Sequence, residues 1–266
     1  MQKAQNWLIL LKFDGTRYHG WQVQPNLPTI EKTIEQAITS LTGEFVEVNG
    51  SGRTDSGVHA LNFTANFKIS TKNLKTPNKW RKALNAVLPN DIVVKCIQPV
   101  SEEFHARFNA IGKRYRYLIY NSPYHSAFSP KYSWWINKTL DTKRMQDAAC
   151  TLTGTHDFSA FRSVNCASNN TIKDLREILI TSKHFLYSTV QLEFEANSFL
   201  QHMVRIITGT LVEIGLGRRK INDLEKILES GQRRLAGVTA PPHGLYSLKV
   251  IYPKGMIDWP KEVVDN

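Results

Sequence analysis

The first hundred or so residues of the chain alternate between short apolar runs and apolar positions at helical spacing. Strands are predicted where apolar residues are continuous or alternate with polar ones, at residues 8–13, 45–48, 63–69 and 92–97. Helices are predicted from Pro28-Thr29 to a capping glycine at Gly43, and from Thr76, with Pro77 at the favoured first position. The order strand, helix, strand, strand, helix, strand is that of the split, ferredoxin-like fold.

A weaker version of the same order runs through the rest of the chain. The predicted elements are a strand at 115–120, a helix capped by Asp141, a strand at 190–194, a helix from Ser198 to about Leu211, a short helix at 224–228 and a final strand at 245–252. We therefore predict an α+β protein with two ferredoxin-like halves and mainly antiparallel sheets. The boundary is placed near residue 105, which gives halves of residues 1–105 and 106–266.

Composition narrows the class of protein and its partners. Hydrophobic residues make up 41% of the 266, but no apolar run approaches the roughly 20 residues that span a bilayer, and the start of the chain lacks the apolar core of a signal peptide. A cytoplasmic protein is expected, and its three cysteines, with no Cys-x-x-Cys pair, are expected to be reduced. The net charge of +11 favours a polyanionic partner, most simply nucleic acid.

The most informative stretch for chemistry is the loop predicted to join the two middle strands of the first half. Residues 50–60, with the sequence GSGRTDSGVHA, surround Asp55 with glycines and small polar residues, two places after Arg53 and four before His59. Glycines let a backbone approach a ligand closely and allow an acid to be presented in a geometry that bulkier residues forbid. The alternative is an ordinary turn in which Asp55 caps its own backbone and Arg53 is a solvated loop residue.

Two further positions are candidates for the same chemistry. Arg205 lies in the predicted helix from Ser198, which is apolar nearly all round, so its guanidinium needs an acidic or carbonyl partner, and a carboxylate is expected. His202 and Gln201 are expected on the same side of that helix. The alternative for Arg205 is a purely structural ion pair with some other acid.

The strand at 115–120 is the second of these positions. Tyr115, Tyr117 and Ile119 share one face, and aromatic rings beside Lys113 and Arg114 could stack on bases while the charges meet phosphates. The alternative is that the tyrosines fill a core with their hydroxyls at its rim.

Several other chemistries receive little support from the sequence. The histidines do not occur in pairs at zinc-ligand spacing, so a metal site is not expected. The chain also lacks the Gly-x-x-x-x-Gly-Lys phosphate loop and the Gly-x-Ser-x-Gly nucleophile elbow. Basic segments at residues 72–82, 218–220 and 233–234 are candidate phosphate contacts, or else solvated faces.

Taken together, these residues resemble those of the tRNA pseudouridine synthases of the TruA type over the whole chain. The resembling segments are YHGWQ at 18–22, GRTDSGVH at 52–59, FHARF at 104–108, RYRY at 114–117, FLQHMVR at 199–205 and GLY at 244–246. Six segments in the right order are far more specific than any one of them. The departures are slight: Ser51 and Ser56 stand where alanine is more usual.

The resemblance implies a role for each candidate residue. Asp55 is then the catalytic aspartate, Tyr115 stacks against the target uracil, and Arg205 pairs with Asp55 in a central RNA-binding cleft flanked by the two halves. Arg53 is implied to occupy the space left by the flipped base, with His59 on the same loop near the RNA. No cofactor is implied, because the isomerisation needs no redox step and no outside group.

The resemblance also implies the substrate and the assembly. The family modifies tRNA at positions 38 to 40 of the anticodon arm and works as a homodimer. A non-catalytic tRNA-binding or chaperone protein of the same fold is the main alternative, but binding alone does not need an ionised nucleophile. An aspartate-dependent nuclease is a second alternative, although it would want several acids around a divalent metal rather than the one in this motif.

Overall fold

The computed structural model describes residues 4–70, 76–127, 130–184, 188–260 and 263. The chain forms two compact units, one from residues 1–111 and 247–266 and the other from residues 112–246. The sequence-based division near residue 105 stays a prediction. No helix in the described part of the chain combines the length and apolar character that a membrane crossing needs.

The first unit contains two helices and an antiparallel sheet. Its elements are β1 (Gln5–Phe13), α1 (Ile30–Thr42), β2 (Val48–Gly50), β3 (His59–Ile69), α2 (Pro77–Val87), β4 (Ile92–Val100) and β10 (Leu245–Ile251), which enters this unit at Ser247. The strand order is β4-β1-β3-β10, with the short β2 also paired to β3. From β1 to β4, strands and helices follow the predicted order.

Both helices of this unit begin where the sequence predicts, and α1 also ends there. Gly43 ends α1 with a left-handed φ of +72°, and Thr76 caps α2 by accepting a hydrogen bond from the Lys79 amide at 3.4 Å. The fully buried Trp80 of α2 packs against Trp7 with ring centroids 6.0 Å apart. The helices thus pack against one face of the sheet, and their buried side chains form a hydrophobic core with it.

The predicted strand at 45–48 is mostly wrong. Of residues 45–50, only Val48–Gly50 pairs with β3, and the side chain of Phe45 is 74% exposed. The Glu35 side chain of α1 accepts a hydrogen bond from the Val48 amide at 3.1 Å, which fixes where the strand begins. Residues 45–47 therefore alternate in sequence without a partner strand.

The second unit contains three helices and a further set of strands. Its elements are β5 (Gly112–Asn121), β6 (Trp134–Ile136), α3 (Thr142–Ala149), β7 (Gly154–Asp157), β8 (Ile172–His184), β9 (Ser188–Ala196), α4 (Met203–Gly215) and α5 (Asp223–Ser230). Strands β5, β9, β8 and β7 are neighbours in that order and antiparallel, while β6 pairs with β5 in parallel. The described residues thus make a mixed α+β protein with five helices and mostly antiparallel strands, as predicted at that level.

Helix α4 begins later than predicted. The expected cap at Ser198 is wrong, because His202 takes a left-handed φ of +64° and the helix starts at Met203. The preceding segment turns instead: the Met203 amide donates to the Leu200 carbonyl and the Gln201 carbonyl accepts from the Ser163 amide. Gln201 and His202 therefore precede the helix and do not form a polar stripe with Arg205.

Candidate active site

The loop that carries Asp55 is closed by its own backbone. We call residues 50–59, which connect β2 to β3, the aspartate loop. The Val58 amide donates to the Asp55 carbonyl at 3.2 Å, and Gly57 takes a φ of +77°, as the third residue of such a turn often does. Asp55 is half-buried and Arg53 is exposed. Because the main chain closes the turn, the Asp55 carboxylate is not required for that purpose.

A second loop supports the aspartate loop on both sides of Asp55. We call residues 14–22, which follow β1, the supporting loop. The Trp21 amide donates to the Thr54 carbonyl at 3.3 Å, and the Tyr18 carbonyl accepts from the Gly57 amide at 3.3 Å and the Ser56 hydroxyl at 3.2 Å. The backbone just before Asp55 and just after it is thereby fixed.

Close approach of the two loops depends on Gly20. This residue has a φ of +86°, and a Cβ placed on it would lie 2.3 Å from the Thr54 carbonyl oxygen. A side chain there would meet backbone that cannot move independently of Asp55, so the position requires glycine.

Side chains of the first unit fix the supporting loop in turn. The Tyr18 hydroxyl donates to Asp91 at 2.7 Å, and burial, followed by this contact, raises the pKa of Tyr18. Arg17 donates to the other oxygen of Asp91 at 2.8 Å from Nε. The Trp21 indole donates to Glu31 of α1 at 3.0 Å. The supporting loop is therefore tied to the start of α1 and to the residues before β4.

His59 is buried at the end of the aspartate loop. Its ring is 2% exposed, and its Nδ1 lies 3.1 Å from both the Gly15 amide and a carboxylate oxygen of Asp14. A backbone N–H can only donate, so Nδ1 accepts from Gly15 and the ring proton of a neutral His59 sits on Nε2. This placement gives His59 a part in fixing the loop, and its predicted contact with RNA stays a prediction.

Arg205 extends from α4 towards a backbone carbonyl. Its Nε donates to the Ala240 carbonyl at 2.8 Å, and the Ala240 amide donates back to the Arg205 carbonyl at 3.1 Å. The side chain is half-buried. The sequence predicts a carbonyl or acidic partner for Arg205, and at Nε that partner is a carbonyl. Residues 205 and 240 are therefore joined by one hydrogen bond from the side chain and one between main chains.

Two tyrosines that share one face of β5 differ in burial. Tyr115 is half-buried and meets Phe199 edge to face, with centroids 5.1 Å apart and planes at 89°. Tyr117 is fully buried, and its hydroxyl donates to the Pro241 carbonyl at 2.7 Å. Burial raises the pKa of Tyr117 although the positive charge of Arg205 opposes this. For Tyr117, the alternative of a core tyrosine with a bonded hydroxyl is confirmed.

The candidate residues thus fall into two groups. Arg53, Asp55 and His59 belong to one loop of the first unit, while Tyr115 and Arg205 belong to the second unit. Within the described residues, no group of three or more histidines, cysteines or acids is arranged to bind a metal ion.

Sequence reasoning missed the residues that position the candidates. These are Tyr18, Trp21, Asp91, Ala240 and Pro241. The first two lie in the resembling segment 18–22, which was a usable signal. The other three act mainly through contacts distant in sequence, which no local pattern reveals.

The basic segments are only partly available to a ligand. Residues 72–75 lie outside the described part of the chain, while Lys79 and Lys82 of α2 are exposed. Arg219 and Arg233 donate to backbone carbonyls of their own unit. These two arginines therefore have structural partners, which neither the phosphate-contact nor the solvated-face interpretation of these segments includes.

The chain is similar in sequence to a family of known proteins. A family model described as tRNA pseudouridine synthase matches residues 9–109 and 148–253. A tRNA pseudouridine synthase A from Thermoanaerobacter sp. (strain X514) is 44% identical over 248 residues, which cover 93% of this chain and 100% of the relative. The Acetivibrio thermocellus protein of that name has the same identity and coverage. One from Acinetobacter baumannii (strain ATCC 17978) is 38% identical over 251 residues, covering 94% of this chain and 93% of the relative.

The family model spans both units and includes every candidate segment except 114–117. By this family match, the basic α+β chain with its presented aspartate belongs to a class of RNA-modifying enzymes. The chain belongs to the tRNA pseudouridine synthase family, and its activity is the isomerisation of uridine in tRNA.

Proposed function

We propose that this enzyme converts uridines at positions 38 to 40 of the tRNA anticodon arm into pseudouridine, with Asp55 as the nucleophile and without metal or cofactor. The observation that carries the proposal is the fixed aspartate loop. Its backbone is bonded to the supporting loop on both sides of a half-buried Asp55, and the exposed Arg53 stands two residues away. Such a loop presents a carboxylate in a constant position, as nucleophilic catalysis requires.

The chemistry needs only groups that a protein chain supplies. The bond between N1 of uracil and C1′ of ribose breaks, the base rotates and C5 bonds to C1′. The proton on C5 is then released to solvent and N1 takes up a proton, so the product is an isomer of the substrate. No electrons enter or leave, so no redox cofactor takes part. The carboxylate of Asp55 provides the nucleophile, and the remaining residues hold the base and stabilise charge.

Arg205 and Tyr115 complete the proposed site. Arg205 is assigned as the ionic partner of Asp55, on the strength of the family resemblance, and its orientation by the Ala240 carbonyl supports this role. A cation close to a carboxylate favours the ionised, nucleophilic form. Tyr115 is assigned to stacking on the target uracil, and its half-buried ring is steadied by Phe199.

Arg53 is proposed to assist base flipping. Removing a base from its stack costs on the order of a few kcal/mol. Arg53 is exposed, so its guanidinium is available to enter the space that the base leaves. His59, buried beneath the same loop, is proposed to support the substrate contact by fixing that loop.

The finer architecture and assembly are part of the proposal. We assign a ferredoxin-like half to residues 1–105, carrying the aspartate loop, and another to residues 106–266, carrying Tyr115 and Arg205, with the tRNA bound in a cleft that they flank. The strand order β4-β1-β3 with β2 beside β3 supports the first half. A cytoplasmic homodimer that contacts one tRNA with both subunits is proposed from the resemblance, and the net charge of +11 is consistent with an RNA partner.

The proposal is tested with anticodon-arm transcripts carrying tritium at C5 of a single uridine, at position 38, 39 or 40. Purified protein, without added metal or nucleotide, is expected to release tritium from these transcripts and not from one labelled elsewhere in the arm. Asp55→Ala should release none, whereas Asp147→Asn, which changes an exposed acid of α3, should match the unaltered protein. Salt-sensitive binding without tritium release by any of these proteins would favour the tRNA-binding alternative.

A further inference from the structure

The segment that precedes β10 contacts both Arg205 and Tyr117. We call residues 232–241 the strap. Its Ala240 carbonyl accepts from Arg205 Nε at 2.8 Å, and its Pro241 carbonyl accepts from the Tyr117 hydroxyl at 2.7 Å. Two adjacent carbonyls of one segment thus set the positions of an arginine on α4 and a tyrosine on β5. Both lie within the second unit.

The strap lies directly against α4. A Cβ placed on Gly209 would be 1.8 Å from the Val238 carbonyl oxygen, so the main chains touch where a side chain would separate them. The Gly237 amide donates to the Thr210 hydroxyl at 2.9 Å, and the Val238 amide donates to Glu213 at 3.3 Å. Successive turns of the helix that carries Arg205 therefore bind successive residues of the strap.

Two arginines also fix the strap, and one of them, Arg233, lies within it. Arg233 donates to the Gly237 carbonyl at 3.1 Å and to the Thr239 hydroxyl at 3.0 Å, and burial lowers the pKa of its guanidinium. Arg219 bonds to Glu213 and donates to the Leu235 carbonyl at 2.9 Å. These contacts use the planar, forked geometry of guanidinium, which lysine cannot reproduce.

We infer that Arg233 is a positioning residue for catalysis, acting through the strap to orient Arg205. The inference rests on the proposed role of Arg205 as the partner of Asp55. The three hydrogen bonds from the Arg233 guanidinium shape residues 236–239, and residue 240 follows immediately with the carbonyl that binds Arg205. In this role Arg233 contacts neither substrate nor reacting atoms.

A phosphate-binding Arg233 would behave differently. A surface cation that contacts phosphate contributes mainly to affinity and to its dependence on salt. An arginine that fixes the geometry of a catalytic partner contributes to the rate of the bound complex, because a displacement of about 1 Å can cost roughly 100-fold in rate. The two roles are separated by measuring kcat and tRNA affinity in the same variant.

The test compares Arg233→Lys, Arg205→Lys and the double variant in single-turnover tritium release from tRNA. Arg233→Lys keeps the charge and should lower the rate at saturating protein about 10- to 100-fold while leaving the Kd for tRNA unchanged. The double variant should be no slower than Arg205→Lys alone, since both changes disturb one interaction. Arg176→Lys, which alters an arginine paired with Asp174 on β8, is the matched control and should retain the full rate.

A second perturbation covers the case in which Arg233→Lys fails to fold. Thr210→Val keeps the shape of the side chain but removes the acceptor of the Gly237 amide, and it should lower the rate without changing the Kd. Thermal unfolding of each variant identifies the folded ones.

The possible outcomes distinguish the positioning role of Arg233 from the proposed role of Arg205 as the partner of Asp55. Two results would overturn the positioning role of Arg233 and leave the proposed role of Arg205 standing. One is a double variant whose loss of rate is the product of the two single losses, and the other is an Arg233→Lys variant with lower tRNA affinity and an unchanged rate. Wild-type activity of Arg205→Lys would overturn the proposed role of Arg205, and with it this inference.

Discussion

The fit between the supporting loop and the aspartate loop leads to a specific prediction for Gly20→Ala. Any residue other than glycine with a left-handed backbone costs about 1–2 kcal/mol. At Gly20 the new Cβ would also lie 2.3 Å from the Thr54 carbonyl oxygen, a distance that real structures do not contain. The chain must therefore move, and the nearest backbone to move is that of Thr54 and Asp55.

Gly43→Ala supplies a matched control for this change. Gly43 has a φ of +72°, close to the +86° of Gly20, but an added Cβ there would have nothing within 4 Å. Both variants should lose about 1–2 kcal/mol in free energy of unfolding from the backbone alone, with Gly20→Ala losing more because of its clash. Only Gly20→Ala should also lose catalysis, by roughly 100-fold if Asp55 shifts by about 1 Å.

The assay is single-turnover tritium release at saturating protein, beside urea unfolding of the same preparations. The expected pattern is a full rate for Gly43→Ala and a rate reduced on the order of 100-fold for folded Gly20→Ala. If folded Gly20→Ala reacted as fast as Gly43→Ala, the aspartate loop would not depend on the supporting loop for its geometry, and the reasoning would be refuted.

Three further predictions concern single residues. Tyr117→Phe removes the donor to the half-buried Pro241 carbonyl and should cost about 0.5–1.5 kcal/mol in free energy of unfolding; an unchanged value would contradict the assigned contact. Burial raises the pKa of Glu35, so its ionised form is disfavoured in the folded protein; Glu35→Gln, which keeps an acceptor for the Val48 amide, should stabilise the protein at neutral pH. The gain in free energy of unfolding should vanish as the pH falls below the ordinary titration range of glutamate. A gain that does not depend on pH would exclude burial of the ionised Glu35 as its cause. Arg53→Ala should lower the tritium-release rate more than the tRNA affinity, and fluorescence of 2-aminopurine beside the target uridine should show impaired flipping; an unimpaired signal would remove Arg53 from that step.

The sequence predicts the elements that depend on local signals. Helix α1 ends at Gly43 and α2 begins at Thr76 because capping residues act within one turn of the chain. The turn of the aspartate loop is also predicted locally, from its glycines and small polar residues, whereas its fixed position depends on the supporting loop. The order of the strands and helices in the first unit follows from the same short-range patterns.

Errors arise where a distant contact decides the structure. Strand β8 was not predicted because its register shifts between Leu175 and Glu177, so its buried residues Leu175 and Ile178 are three apart and the period of two is broken. The start of α4 was misplaced because Leu200, before Met203, is buried in a turn rather than a helix, with His202 in a conformation that few side chains adopt.

The candidate site follows the same division. Asp55, Tyr115 and Arg205 are recognised by residue type and by resemblance, whereas the carbonyl of Ala240 that orients Arg205 has no side-chain signature. Backbone acceptors brought together by the fold leave no mark in the sequence pattern, so the strap becomes visible only in three dimensions.

The central claim is that Asp55 acts as a nucleophile on bound tRNA, and Asp55→Asn tests it most directly. Asparagine keeps the shape of the side chain but removes its charge and nucleophilicity. The measurement is single-turnover conversion of uridine to pseudouridine at saturating Asp55→Asn protein, with the tRNA Kd determined in parallel. We expect no detectable product and an affinity close to that of the unaltered enzyme. Product formed at a rate near that of the unaltered enzyme would contradict the account.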